Sequence, residues 1–139
     1  ISGTAKLRDG KPVRLGEKIA TYGYPMFGTL SSSASASQGD VNALAGIGND
    51  SRTLRYDAST QPGNSGGPLL DLSGNVVGVI SHRLKKEAGV NFAIKSNIVE
   101  NFLNSEGISF DKSESLQRLE LTDIAEKAER FTVLVGCWE

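Results

Sequence analysis

Gln61-Pro62-Gly63-Asn64-Ser65-Gly66-Gly67-Pro68-Leu69-Leu70-Asp71-Leu72-Ser73-Gly74-Asn75-Val76-Val77-Gly78-Val79-Ile80-Ser81 is the stretch that decides how this chain folds. Its first half sets one hydroxyl among three glycines, with prolines on either side. Glycine reaches backbone shapes that a Cβ forbids. That much freedom around a single serine suits a nucleophile, whose oxygen must be exposed while neighbouring N–H groups point at a developing oxyanion. The second half chooses the scaffold. Gly66, Gly67 and Pro68 oppose a helix after the serine. Two apolar runs, Leu69-Leu70-Asp71-Leu72 and Val76 to Ser81, flank Ser73-Gly74-Asn75, which predicts a β-hairpin.

Outward from that hairpin, the first two thirds of the chain read as β. Ile19 to Tyr24 is a strand ended by Pro25. Ser31 to Ser37 is a small-residue tract that reads as a loop. Gln38-Gly39-Asp40 is a turn signal. Val41 to Ala45 and Arg52 to Ala58 are strands joined by the Gly/Asn/Asp-rich Gly46 to Asp50, and Asn91 to Ile94 is one more. Many short, evenly spaced strands predict a barrel or sandwich. The period then changes to helical at Ile98, Val99, Phe102 and Leu103, with Asn97 as cap, Glu100 three residues on, and Gly107 as stop. Phe110 to Arg118 reads as a polar linker. A second helix is predicted over Asp123 to Arg130, capped by Thr122, with Ile124, Ala125 and Ala128 on one face. Phe131 to Val135 reads as a last strand.

The 139 residues suit one domain or a little more, and 38% hydrophobic content supports a core. A net charge of −1 gives no reason to expect nucleic acid or an anionic membrane as partner. Arg83-Leu84-Lys85-Lys86 is short and followed at once by Glu87, so it reads as a solvated loop. Cys137 is the single cysteine, so no internal disulfide forms. No cation or thiol partner adjoins it in sequence, and it reads as passive. Apolar runs such as Val76 to Ile80 are too short to span a bilayer. No metal or cofactor is expected.

Gly63-Asn64-Ser65-Gly66-Gly67 also satisfies the G-x-S-x-G elbow of α/β-hydrolases, which needs a helix directly after the serine. With a hairpin there instead, Gly63 to Leu70 resembles the nucleophile loop of trypsin-like serine proteases. Proline in Gln61-Pro62-Gly63-Asn64-Ser65 is similar to the bacterial HtrA-like (Do-like) branch. Leu15-Gly16-Glu17 leading to Tyr22-Gly23-Tyr24-Pro25, Gly74 to Ser81, and Val90 to Ser96 resemble further strands of that family's second barrel. Roughly Val13 to Asn104 matches in order and spacing.

The resemblance implies a mainly β fold: a single six-stranded antiparallel β-barrel, a C-terminal helix, and a short helix-strand tail. The implied layout is a barrel with its terminal helix over 1–104, a linker over 105–118, and the tail over 119–139. Ser65 is then the catalytic nucleophile, and the backbone N–H groups of Gly63 and Ser65 form the oxyanion hole. Ser59, Thr60 and the region of Val90 to Phe92 shape the specificity pocket. With no acid there, a small or aliphatic side chain is expected rather than Lys or Arg. Ser81, His82 and Arg83 bind an extended substrate through their backbone. Family members take the base histidine and its aspartate from a first barrel, upstream of the region present here. The only histidine, His82, reads as a cleft-wall residue, and Asp57 and Asp71 as turn and strand-end acids. Trypsins pair a new N-terminal isoleucine with an aspartate before the serine. Asn64 stands at that place, so Ile1 has no such partner. The implied partners are a polypeptide substrate and the first barrel of the same protein, with a homo-oligomer also compatible. The implied compartment is the bacterial periplasm or cytoplasm. On this reading the 139-residue chain by itself is an inactive half of a serine endopeptidase. The alternative is a catalytically inactive, protease-derived peptide-binding module.

Overall fold

The computed structural model describes residues 3–24, 33–59, 64–83 and 89–133, the side chains of His82 and Arg83 excepted. Among the described residues, eight strands and two α-helices follow one another: β1 (Lys6–Arg8), β2 (Lys18–Gly23), β3 (Ser35–Ala43), β4 (Thr53–Tyr56), β5 (Pro68–Asp71), β6 (Val76–Arg83), β7 (Asn91–Lys95), α1 (Ser96–Ser105), β8 (Asp111–Ser113) and α2 (Leu121–Glu129). Six of the strands close a ring in the order β2-β3-β4-β7-β6-β5, with every neighbour antiparallel. This is the expected six-stranded barrel. The residues after Ser65 form the β5–β6 hairpin rather than a helix, which removes the α/β-hydrolase elbow.

Strand alternation sorts the apolar residues into two cores. Ile19, Val41, Leu54, Tyr56, Leu69, Val77, Ile80 and Ala93 fill the barrel. Ala20, Tyr22, Leu70 and Val76 point the other way, and with Leu7, Ile124 and Ala128 they make a second core outside it. The pairing explains the division. Ala20 lies opposite Leu70 in the β2–β5 ladder, so both reach the outer face together. β2 is thereby buried on both faces, which fits the near-continuous apolar run Ile19-Ala20-Thr21-Tyr22.

The tail belongs to that outer core. Ile124 and Ala128 of α2 are closed to solvent. Leu119 N–H donates to the Leu72 carbonyl at 2.7 Å, and Lys127 Nζ to the Ser73 carbonyl at 3.2 Å. Asn75 Nδ2 donates to the Ser115 carbonyl at 3.1 Å. The polar hairpin turn Ser73-Gly74-Asn75 is consequently buried beneath the tail. Asp71 makes that tolerable, because its Oδ1 accepts the N–H groups of Ser73 and Asn75, each at 2.9 Å. Arg8 then bridges Glu17 and Asp71, at 3.6 Å from the latter.

Several local readings change. Gln38-Gly39-Asp40 is not a turn but the middle of β3, and Ser35 to Ser37 are strand residues paired with β2. A Cβ on Gly39 would stand 2.5 Å from the Ala58 backbone nitrogen, so this glycine serves close approach of two strands. The small serines and alanines pair with β2 and leave room for Tyr22 and its neighbours. Asp111–Ser113, inside the stretch read as a linker, pairs in parallel with β1 as β8. β1 is held by β6 and β8.

α1 begins at Ser96 after Lys95, so Asn97 lies within it and makes no cap. Gly107 stops it as expected, at φ +69, with Ile108 N–H returning to the Leu103 carbonyl at 2.9 Å. Phe102 is 60% exposed, not part of a buried stripe. α2 starts two residues earlier than predicted, after Glu120, and Thr122 is helical rather than a cap. Phe131 to Val133 are not strand, and 134–139, with Cys137, lie outside the described residues.

Candidate active site

Ser65 stands at the end of the barrel where β2 finishes and β5 starts. Its loop is stitched to β6 on both sides. Gly66 N–H donates to the Ile80 carbonyl at 2.7 Å, and Ile80 N–H donates to the Gly67 carbonyl at 2.9 Å. Gly67 N–H closes the turn onto the Asn64 carbonyl at 2.9 Å. The turn needs glycine at both positions. Gly66 has φ +88. A Cβ on Gly67 would lie 2.9 Å from the Asn64 carbonyl oxygen and 3.1 Å from that of Tyr22, two backbone atoms that cannot swing away.

This frame leaves Ser65 exposed, with its Oγ donating to the Ser81 carbonyl at 3.1 Å. Ser81 Oγ donates across the ladder to the Phe92 carbonyl at 3.1 Å. The nucleophile candidate and the strand proposed to receive substrate are therefore hydrogen-bonded neighbours, although sixteen residues separate them. β6 continues as backbone through His82 and Arg83, whose register partners on β7 are Phe92 and Asn91.

Ser59 lies on the other margin, exposed, its N–H on Ser37 Oγ at 3.1 Å. The Asp57–Ser59 stretch is held from beneath by Asn91, whose Nδ2 donates to the carbonyls of Tyr56 (3.2 Å) and Ala58 (2.9 Å). Asp57 is structural, accepting Asp40 N–H at 2.7 Å and Asn42 Nδ2 at 3.3 Å. Gly63 and Thr60 lie outside the described residues.

Sequence reasoning overlooked three parts of the site. Asn64 is 4% exposed and packs on Gly23, where a Cβ would meet its Oδ1 at 2.5 Å. The glycine between two tyrosines was the available sign of that contact. Tyr22 and Tyr24 stand edge to face at 6.0 Å. Burial, then the Tyr24 hydroxyl and the charge of Glu129, push Tyr22 up to about 12. Finally, Phe131, Thr132 and Val133 of the tail share a cavity of about 500 Å³ with Asn64 to Pro68. No sequence pattern places residues more than sixty positions apart in one wall. At the opposite end of the barrel, burial raises the Asp71 carboxyl above its ordinary value, against the lowering effect of its hydrogen bonds and of Arg8. Among the described residues, no three His, Cys, Asp or Glu side chains converge as a metal site, and no helix is long and apolar enough to cross a membrane.

Comparison with known proteins places these features in context. Residues 2–79, which include Ser65, match the family model described as a trypsin-like peptidase domain. The chain is 42% identical over 134 residues to protein y4bJ of Sinorhizobium fredii, covering 89% of this chain and 21% of that protein. It is 36% identical over 112 residues to the serine protease Do-like HtrB of Bacillus subtilis, covering 72% of this chain and 24% of that protein. The chain thus spans a fifth to a quarter of these relatives' lengths. The inactive form of a serine-to-alanine mutant of Rv3671c from M. tuberculosis H37Rv superimposes with a TM-score of 0.60 and 25% identity, over 73% of this chain and 53% of that one. A serine endoprotease from Yersinia pestis, at 24% identity and a TM-score of 0.61 over 73% of this chain and 34% of that one, shares the fold.

Proposed function

Because the chain belongs to the trypsin-like peptidase family, in its HtrA-like branch, we propose that it is the nucleophile-bearing half of a serine endopeptidase. Ser65 Oγ attacks the scissile carbonyl. The N–H groups of Gly63 and Ser65 receive the oxyanion, a type of contact worth about a hundredfold or more in rate. The new C–O bond forms as the serine proton passes to a base, and the leaving amine takes that proton when the C–N bond breaks. Water then hydrolyses the acyl-enzyme. The base histidine and its aspartate come from an upstream barrel of the same protein, and the 139 residues by themselves do not turn over. Substrate lies extended along the backbone of Ser81 to Arg83, with Ser59 and Thr60 beside its primary side chain. By this reading 1–104 is the catalytic barrel, and 119–139 is a tail built onto it.

The observation that carries the reading is the exposed Ser65 Oγ at 3.1 Å from the carbonyl of Ser81, the first residue of the proposed substrate-pairing edge. The alternative is a catalytically inactive, protease-derived peptide-binding module, in which Ser65 keeps its hydrogen bond to the Ser81 carbonyl. A fluorophosphonate probe separates the two, applied to the full-length protein and its Ser65→Ala variant. Labelling lost only in the variant supports the peptidase. Equal labelling, or none in either, leaves the binding module.

A further inference from the structure

We propose that a hollow at the barrel end away from Ser65 docks an acidic peptide segment of a partner protein, one with an apolar side chain among its carboxylates. The hollow measures about 390 Å³ and lies where β2 begins and β5 ends. Arg8, Lys11, Arg14, Lys18 and Arg118 line it, against Glu17 and Asp71. The chain as a whole carries a net charge of −1, so this basic surface is a local segregation of charge.

Both acids are already engaged. Arg8 lies between Glu17 and Asp71, and Asp71 is buried with its Oδ1 turned to the N–H groups of Ser73 and Asn75. Lys18 pairs with Asp40 at 2.7 Å. Lys11, Arg14 and Arg118 are exposed and, among the described residues, have no ion-pair partner. Guanidinium groups take carboxylates through paired N–H donors. Carboxylates from outside the chain therefore suit this surface.

The walls are fixed before a partner arrives. Arg8 Nε donates to the Lys11 carbonyl at 2.9 Å, and Arg14 N–H donates to Glu17 Oε1 at 3.3 Å, which ties down the β1–β2 connection. On the facing side, Leu119 N–H is held on the Leu72 carbonyl and Asn75 Nδ2 on the Ser115 carbonyl. Leu116 and Arg118 lie between those two anchors, so the tail presents them at the hairpin end. Cations displayed on a stitched frame lose less freedom on binding. Leu116, 80% exposed, and the half-buried Leu72 line the same hollow. A bare polyanion leaves that leucine wet. A peptide covers it with an apolar side chain while its flanking carboxylates meet Lys11, Arg14 and Arg118.

The test is fluorescence anisotropy of a labelled peptide of glutamates around one central leucine, at low salt. The titrant is the full-length protein carrying Ser65→Ala, so the peptide survives whatever Ser65 does. Saturable binding is expected. Arg14→Glu and Arg118→Glu should each weaken it about fivefold or more, whereas Arg55→Glu, the same charge change at an exposed position of β4, should leave it within about twofold. All three side chains are exposed, so the changes spare the core. Replacing the peptide leucine with serine should weaken binding severalfold, and less so in a Leu116→Ser background. Absence of saturable binding, or equal losses in Arg14→Glu and Arg55→Glu, overturns the site. Indifference to the peptide leucine, with inorganic polyphosphate bound equally well, overturns the peptide as its occupant.

Discussion

Replacing Ile124 with alanine tests whether the tail is part of the folded unit. Ile124 is 1% exposed and packs among Leu7, Ala20, Tyr22, Leu70, Val76 and Ala128. The substitution deletes three carbons, about 2.4 kcal/mol at about 0.8 kcal/mol per buried carbon. A cavity term adds to this, because the facing strands are closed into a barrel and collapse little. The total should be about 3 to 4 kcal/mol, inside the usual range of about 2–5 for such deletions. Ile47 is the control, 60% exposed on the β3–β4 connection, and Ile47→Ala should cost under about 0.5 kcal/mol. Urea unfolding reads both. With a slope of about 1.5 kcal/mol per molar, Ile124→Ala lowers the midpoint by about 2 M, with one cooperative transition retained. Two results would refute the reasoning. One is a midpoint loss no larger than that of Ile47→Ala. The other is a split transition in which the barrel keeps its original midpoint, which would mark the tail as an independent appendage.

Other outcomes follow from the same contacts. Gly67→Ala drives a Cβ against the Asn64 and Tyr22 carbonyls. It should cost about 1–3 kcal/mol and slow fluorophosphonate labelling of Ser65 by about a hundredfold through misplacement of the loop. Asp71→Asn turns an amide toward the donors of Arg8 and Asn75 and should destabilise by about 1–3 kcal/mol at low pH. Because burial raises the Asp71 carboxyl, its titration favours the fold below the unfolded value of 3.8, and that share is lost as pH rises through the raised value. The gap between the two proteins in denaturant melts should therefore narrow as pH rises above about 4 and the Asp71 carboxyl ionises. Tyr22, pushed up to about 12, behaves alike in alkali. Its contribution is complete below about pH 10 and lost toward about pH 12. Tyr22→Phe should show a shallower alkaline loss of stability, and its absorbance titration should lack the latest-ionising tyrosine.

How far the sequence could be read depended on how local the cause was. The hairpin after Ser65 is legible because Gly66, Gly67 and Pro68 exclude a helix and Ser73-Gly74-Asn75 turns the chain, all within a few residues. Gly107 ends α1 for an equally local reason, its positive φ. Gln38-Gly39-Asp40 misled because its turn chemistry is overruled by two neighbours. β3 is paired with β2 along its length, and Gly39 is needed where Ala58 comes close. The helix caps Asn97 and Thr122 failed likewise. α1 follows directly from β7, and α2 is set by its burial of Ile124 and Ala128, so neither waits for a capping side chain.

What the sequence determined by itself is the glycine-framed serine, the hairpin after it and the mainly β character of the chain. A serine with glycine freedom on both sides, followed by strands of period two, follows from backbone sterics and from the hydrophobic period. Only the tertiary structure decided what surrounds that serine. Closure of the barrel brings the Ser81 carbonyl to Ser65 Oγ, and the outer core carries Phe131, Thr132 and Val133 to the same cavity. Those contacts join residues from sixteen to nearly seventy positions apart. They arise because Ala20, Tyr22, Leu70 and Val76 face outward from the barrel and need an apolar partner, which α2 supplies.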